Sequence, residues 1–450
     1  MTIAAAPDIT LERTVFEYGV VSLTQLPEFQ KREVLLGVEQ LPKPGGQEVI
    51  RLVVREGKVA LQATQHVGLY QLGPLRLQVL PKIHKLTANS QEAKRQAMQN
   101  LFVMLRYALD IPLHTAQLTE LEEGTDWFEA LTTLFTESLL MEWQRGPIRR
   151  YESVEEDLTT IRGRLRVQDH IRRVGRQHVL PVEYDEFTTD TALNRLFRYV
   201  VSRLLNLSRS ARNLDNLRLL AAWMDEDGIP LLPALHGQEV ARLSLDRLNL
   251  RYEIPFTLAR LFIQDAGLNA HVGDYRAQSL FFDMNALFEG FLTGILLQHR
   301  AEILPDVFQD ARLVVQGEGN SRPLLIREST GHSTLRMKPD VMLQVGANVA
   351  IILDFKYKVL DPGKPRAGIG REDLYQMFAY AQRYHCANVM LLYPGVPGLN
   401  TSTLRYRVPE DGGHPARLLV ATVDLNHNFA QQGISSVIHD LRIALEGTTV

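Results

Sequence analysis

Asp340, Asp354 and Lys356 are the residues whose types and spacing offer chemistry in this sequence. They lie on the stretch from Leu335 to Lys358, LRMKPDVMLQVGANVAIILDFKYK. Its apolar arms around a glycine predict a β-hairpin. The first arm runs to Val345, Gly346-Ala347-Asn348 forms the loop, and the second arm starts at Val349. Pairing Val345 with Val349 places Asp340 directly opposite Asp354, with Cβ atoms ~4.5–5.5 Å apart. A strand period of two puts Lys356 on the face of Asp354. The other face carries Val341, Leu343 and Val345 against Ile351, Leu353 and Phe355, and is expected to be buried. A bulge would shift this register by one residue. Two facing carboxylates repel unless something offsets their charge, and a divalent cation held by oxygen ligands does so. The competing reading is a surface hairpin with ordinary charges. The Ile351-Ile352-Leu353 run leading into Asp354 weighs against it, because surface strands are rarely so apolar.

The elements around this hairpin must hold it. A helix is expected from about Ala277 to His299, with Leu280, Met284, Leu287, Phe288, Phe291 and Ile295 as a wide apolar stripe. Glu289 lies at the stripe's edge, where a carboxylate either looks into a site beside the core or is simply solvated. Strands are expected around Arg312 to Val315 and Leu324 to Arg327. A helix from Glu372 to Tyr384 and a strand from Val389 to Tyr393 follow the hairpin. On that helix Gln376 and Tyr380 share a face at i, i+4.

The whole chain has 450 residues, enough for two or three domains. Its net charge of −3 and pI near 6.5 exclude a global basic field, so nucleic-acid contacts must come from local patches. The single cysteine, Cys386, excludes a disulfide framework and a cysteine-based zinc site, and reads as a buried thiol. No secretory leader and no apolar run of ~18 residues is visible, so a cytoplasmic protein with no membrane span is expected. The fold class expected is a multidomain α+β or α/β chain. Residues 1–90 read as a small β-rich barrel or sandwich that docks a partner. Residues 91–245 read as a mainly helical middle region, and residues 246–450 carry the hairpin. In the middle region Asp190 is the expected N-cap of a helix from Thr191 to Leu207. The middle region also holds Arg145, Arg149, Arg150, Arg162, Arg164, Arg166, Arg172, Arg173 and Arg176, close to Glu152, Glu155, Glu156 and Asp157. Arginine suits bidentate phosphate contacts. Phosphate binding, with Arg162, Arg164 and Arg166 as its candidates, and a self-neutralised solvated face stand level on sequence.

Pro339-Asp340 followed by Asp354-x-Lys356 resembles the PD-(D/E)XK nuclease signature, and the order of elements is the one that fold requires. Other stretches resemble McrC, the nuclease subunit family of McrBC restriction systems. They are Val67-Gly68 through Leu80-Pro81-Lys82-Ile83, Ile161-Arg162-Gly163-Arg164-Leu165, and Tyr184-Asp185-Glu186 with Asn194-Arg195. The C-terminal part adds Arg336-x-Lys338-Pro339-Asp340, Asp354-Phe355-Lys356-Tyr357-Lys358 and Gln376-Met377-x-Ala379-Tyr380. The resemblance implies a PD-(D/E)XK domain over residues 246–450 and Mg2+ held by Asp340 and Asp354. Lys356 would orient or deprotonate the attacking water, Glu289 would be a further ligand or metal-water contact, and Gln376 would position the site or the DNA backbone. It also implies cleavage of DNA with modified cytosines to 5′-phosphate and 3′-hydroxyl ends, beside a McrB-like AAA+ GTPase hexamer that the N-terminal region activates. Gly363-Lys364 lacks the Ser/Thr and glycine spacing of a Walker A loop, so the NTPase must be another chain. Two alternatives are a non-cleaving scaffold that activates an NTPase ring and clamps DNA, and a stand-alone defence nuclease.

Overall fold

The computed structural model describes residues 11–82, 91–110, 127–173, 175, 178–235, 237–264, 277–395, 404–408 and 414–448. Ile83 and Arg176 therefore lie outside the described residues. The first strands are β1 (Leu11–Phe16), β2 (Val20–Ser22), β3 (Ile50–Arg55), β4 (Lys58–Ala63), β5 (His66–Leu72) and β6 (Leu75–Leu80), with helix α1 (Glu28–Glu39) inserted after β2. They form two sheets, one in the order β2-β4-β3 and one containing β1, β6 and β5. Val21 and Leu61 from the first sheet, Tyr70, Leu72 and Leu77 from the second, and Val34 and Val38 from α1 share one apolar core. The result is a two-sheet layout and not a closed barrel.

Helices α2 (Gln91–Ala108) and α3 (Trp127–Gln144) follow. Their aromatic and apolar residues, among them Leu101, Trp127, Leu131, Phe135 and Leu139, are core side chains. The middle region is not helical throughout. It holds a three-stranded antiparallel ribbon of β7 (Arg150–Leu158), β8 (Arg164–Leu165) and β9 (Leu180–Thr188), in the order β7-β9-β8. Helices α4 (Ala192–Leu207), α5 (Ala211–Glu226) and α6 (Glu253–Gln264) then complete the largest core. Thr191, not Asp190, caps α4: its side chain accepts from Asn194 N. Asp190 is drawn away by Arg195, whose Nε and Nη2 donate to its two oxygens at 2.5 and 2.8 Å.

The expected helix from Ala277 starts seven residues late. Ala277–Asp283 is instead strand β10, paired antiparallel with β5, so the N-terminal sheet reads β1-β6-β5-β10 and includes a segment far along the chain. Phe281 sits opposite Gly68. A Cβ on Gly68 would come within 2.3 Å of Leu280 O, so only glycine allows this approach. Asp283 then caps helix α7 (Met284–Gln298) through Asn285 N. Gly294 lets α7 lie against α2, where a Cβ would meet Tyr107 O at 2.1 Å.

The remaining strands are β11 (Arg312–Val315), β12 (Arg322–Ile326), β13 (Ser333–Met337), β14 (Val341–Val345), β15 (Asn348–Phe355), β16 (Asn388–Pro394), β17 (Leu404–Arg407) and β18 (Arg417–Val423). Helices α8 (Arg371–Tyr384) and α9 (Ser435–Glu446) accompany them. A six-stranded sheet runs β11-β14-β15-β16-β18-β17, with β15, β16 and β18 mutually parallel. β12 and β13 form a separate two-stranded hairpin. Leu353 and Phe355 point into the large core with α7 and α9, whereas Ile352 joins Met377 and Tyr380 of α8. The sheet is thus covered on both faces, as its parallel centre requires. Cys386 is buried, and burial pushes its thiol up to about 11. No helix among the described residues is long and apolar enough to cross a membrane.

Glu17 links the N-terminal sheet to this last sheet. Its Oε2 accepts from Lys82 N at 2.8 Å and from the Tyr357 hydroxyl at 2.9 Å. Burial pushes its carboxyl up to about 7, against the opposing pull of those donors. The folded chain therefore keeps a proton that the unfolded chain releases near 4.5. The stabilisation is fully present below that value and is lost as pH rises through about 7, on the order of 3 kcal/mol in all. Glu17→Gln is expected to remove this loss. Chemical denaturation from pH 5 to 8 should show the variant more stable than the parent at pH 8 with the gap closing towards pH 5, and a pH-independent gap would contradict it.

Candidate active site

The hairpin β14–β15 brings the two aspartates together. Val341, Met342 and Leu343 pair with Leu353, Ile352 and Ile351, so residue numbers sum to the expected constant at this end and continue Asp340 towards Asp354. The register shifts only beyond Leu343, where Gln344 pairs with Val349 and Val345 with Asn348. The extra residue, Ala350, is a bulge, and the loop shortens to Gly346-Ala347, with Gly346 at φ +60°. Val345 therefore sits at the exposed tip instead of the buried face. Val341, Leu343, Ile351, Leu353 and Phe355 are buried as expected.

Asp354 is fully buried, between β14 and the parallel strand β16. Lys356 Nζ lies 2.5 Å from its Oδ2, and Gln376 Nε2 donates to its Oδ1 at 3.2 Å. Asp340 Oδ2 accepts from Phe355 N at 2.6 Å, so the backbone beside one aspartate holds the carboxylate of the other. Gln376 also donates to the Tyr380 hydroxyl at 2.8 Å, and that hydroxyl donates to Lys338 O at 3.3 Å. Helix α8 is in this way pinned to the chain on both sides of Asp340.

Burial raises the pKa of Asp340, and the charges of Asp354 and Glu289 raise it further. Burial likewise raises that of Asp354, although Lys356 opposes the shift. Burial alone would lower the Lys356 pKa, but the adjacent Asp354 carboxylate outweighs it and the net shift is upward. Lys356 is therefore an ammonium here. Glu289 comes from α7, close enough to act on both aspartates, and its Oε1 accepts from Gln316 Nε2 at 3.1 Å. Among the described residues, no three His, Cys, Asp or Glu side chains converge as a ready-made metal cage.

Two neighbours escaped sequence reasoning. Gln316 has φ +48° and donates its N–H to Asp340 O at 2.8 Å, so it braces Glu289 and Asp340 together. Asp373, on the first turn of α8, is buried with Lys358 Nζ at 2.9 and 3.0 Å and the Tyr393 hydroxyl at 3.0 Å. Lys358 on the Asp354-x-Lys356-x-Lys358 alternation was the only sequence signal for it.

A family model described as McrBC 5-methylcytosine restriction system component matches residues 61–394. The chain belongs to that family. No curated protein matches it. The chain is similar to one in the refined half-complex from the tetradecameric assembly of Thermococcus gammatolerans McrB AAA+ hexamers with bound McrC. The TM-score is 0.62 at 20% identity, covering 97% of this chain and 99% of that one, which speaks to the fold alone. A second similar chain comes from the cryo-EM structure of the Thermococcus gammatolerans McrBC complex, with a TM-score of 0.47 at 23% identity over 64% of this chain and 88% of that one. The resemblance to McrC is borne out as family and overall fold. In this McrBC-family chain the matched span takes in Asp340, Asp354, Lys356, Glu289 and Gln376, as well as the ribbon β7–β9.

On that ribbon the arginines are engaged. Arg166 pairs with Glu155 and Asp169, both at 2.5 Å, and Arg173 with Asp157 at 2.5 Å. Arg162 stacks over the Tyr184 ring at 3.9 Å and reaches Glu186 at 4.0 Å, while Arg164 is exposed on the short strand β8. Phosphate would have to compete with carboxylates at two of the three positions.

Ionising Asp340 costs stability. Its raised pKa means that the stabilisation is full below the ordinary 3.8 and is lost as pH rises through the raised value. Asp340→Asn keeps an oxygen for Phe355 N and removes the charge. In EDTA at pH 8 it should be more stable than the parent by on the order of 1–3 kcal/mol, with the difference gone near pH 4. A less stable variant at pH 8 would refute this account of burial and charge repulsion.

Proposed function

We propose that the chain is the Mg2+-dependent DNA endonuclease subunit of a McrBC-type restriction system. It cuts DNA with modified cytosines when assembled with a McrB-like AAA+ GTPase hexamer, which it also stimulates. The observation that carries this reading is the buried Asp340–Asp354 pair, with Lys356 and Gln376 on it, inside the span matched by the family. The partner is extended from the similar solved assembly, in which McrC is bound to McrB AAA+ hexamers.

The residues fit a divalent cation by charge and by donor type. Asp340, Asp354, Glu289 and Asp373 bring four carboxyl groups beside the Lys356 and Lys358 ammonium groups, so two negative charges are left for a cation once all four carboxyls ionise. Asp340 and Asp354 would hold Mg2+, with Glu289 as a further ligand or a contact to a bound water. The chemistry supplied by the bound ion is polarisation of the phosphoryl group and a lowered water pKa. Lys356, being charged, donates to the attacking water or to the phosphorane oxygens and does not act as the base. Gln376 fixes the rotamer of Asp354, and Phe355 N fixes that of Asp340. Water attack then leaves 5′-phosphate and 3′-hydroxyl ends.

The ring would engage residues before about 245. The ribbon β7–β9 suits that role because Tyr151 and Phe187 stack at 4.7 Å while 72% and 52% exposed, and Ile161 and Ile171 are exposed nearby. A cut at residue 245 would strip β10 from the N-terminal sheet. The full-length chain is therefore the right vehicle for separating the two activities.

With Mg2+ and the partner ring, Asp340→Ala, Asp354→Ala and Lys356→Ala should each lower DNA cleavage ~10³-fold or more. The same variants should stimulate GTP hydrolysis by the ring as the parent does. Full cleavage by Asp354→Ala would sink the nuclease assignment. Parent protein that stimulates the ring but never cuts would favour the scaffold reading, and efficient cutting of unmodified DNA without the ring would favour a stand-alone nuclease.

A further inference from the structure

The hairpin β12–β13 has no place in the chemistry above, yet it feeds directly into it. β13 ends at Met337, and Lys338-Pro339 lead to Asp340. Arg336 is separated from Asp340 by no more than about 14 Å of chain, roughly four base-pair steps of duplex. Leu325, Ile326 and Leu335 are 58%, 55% and 51% exposed on two short strands that no other strand covers. Among the described residues, no carboxylate pairs with Arg322, Arg327, Arg336, Lys338 or Arg383.

Three of these cations are held by neutral oxygens. Arg322 Nη1 donates to Arg383 O at 2.6 Å and its guanidinium lies 5.0 Å from the Tyr384 ring. Arg336 donates to Ser321 Oγ at 2.8 Å and to Ser321 O at 2.5 Å, and Arg383 Nε donates to Pro323 O at 2.9 Å. These bonds orient the guanidinium groups without cancelling their charge, unlike the carboxylate pairs of the ribbon β7–β9. They also fix the hairpin to α8. The Tyr384 hydroxyl accepts from Arg322 N at 3.1 Å and donates towards Asn320 O and Met337 O at 3.0 and 3.2 Å. The same helix supplies Gln376 to Asp354, so hairpin and site move as one body.

We propose that β12–β13 is a duplex-DNA grip, lying in the groove beside the scissile phosphate, with its arginines on the backbone and its leucine and isoleucine side chains against the bases. Charge complementarity selects the occupant: uncancelled cations beside exposed aliphatic side chains match a phosphate-lined groove, and a two-stranded ribbon has the width to enter it. The proposal rests on the nuclease reading for its orientation, but its test is separable.

The test uses the full-length chain carrying Asp354→Ala, a short fluorescein-labelled duplex and anisotropy over a KCl series. Arg327→Gln should weaken binding several-fold and reduce the salt slope by about one. Leu325→Ser with Ile326→Ser should weaken it several-fold with the slope unchanged. These side chains are exposed, and unchanged thermal unfolding will confirm intact variants. Parent-like affinity and slope in both variants, or no binding by the parent at low salt, would overturn the grip. So would a self-associated form, seen in sedimentation, that the double serine variant splits while DNA affinity stays constant. Cleavage by the otherwise wild-type ring complex with Mg2+ separates the two readings. Hairpin variants that bind and cut normally, beside a dead Asp354→Ala, remove the grip and keep the nuclease. Hairpin variants that lose binding, beside an Asp354→Ala chain that still cuts, keep the grip and remove the assigned site.

Discussion

Repulsion between two carboxylates, enforced by the pairing of β14 with β15, is the constraint on which the rest of the C-terminal sheet depends. Asp354 cannot turn to solvent, because sheet neighbours and α8 enclose it. Asp340 cannot turn away, because the N–H of Phe355 holds its oxygen. The chain answers the repulsion only in part, with one ammonium group on Asp354, one amide donor on each aspartate and protons kept by raised pKa values. A fold selected for stability alone would replace such a pair with apolar residues, which is often neutral or stabilising. The pair thus stands as a stability cost in a sheet whose other buried positions are mostly apolar, which is what the proposed function accounts for.

The N-terminal and C-terminal parts are joined by two physical connections that end at this site. One is β10, which completes the N-terminal sheet and passes through Asp283 into α7, the helix that carries Glu289. The other is the Glu17 carboxylate on the Tyr357 hydroxyl, one residue from Lys356. The N-terminal sheet is thus connected to β15 by packed secondary structure and not only by a loop. Such coupling suits a subunit in which a partner contacts one end of the chain and DNA meets the other.

The hairpin was legible because its information is local: period-two alternation and a glycine turn fix which residues face each other near Asp340. The bulge at Ala350 was not, because alanine is compatible with either register and the choice depends on how Gly346 closes the turn. β10 was misread for a different reason. Leu280-Phe281-Phe282 continues the apolar pattern of the helix after it, and its strand partner, β5, lies about two hundred residues earlier in the sequence. Asp190 and Thr191 are both good caps side by side, and only the tertiary position of Arg195 decides between them. The arginines show the same limit most clearly. Sequence does not tell which of Arg162, Arg166, Arg322 and Arg336 face carboxylates and which face carbonyls, and only the fold does.

That sorting of charges bears on how cleavage is controlled. With a net charge of −3 and an acidic cluster at Asp340 and Asp354, the chain as a whole repels DNA at long range. Cations held by neutral oxygens on β12–β13, such as Arg336, act only after a phosphate backbone has arrived within about a Debye length, roughly 8–10 Å. Attraction is thus short-ranged and local, so random encounters with duplex give little residence at the site. Under the proposed nuclease function, such a chain would cut where something else has delivered the DNA. The delivery step, and not the affinity of this surface, would then carry any discrimination between sequences.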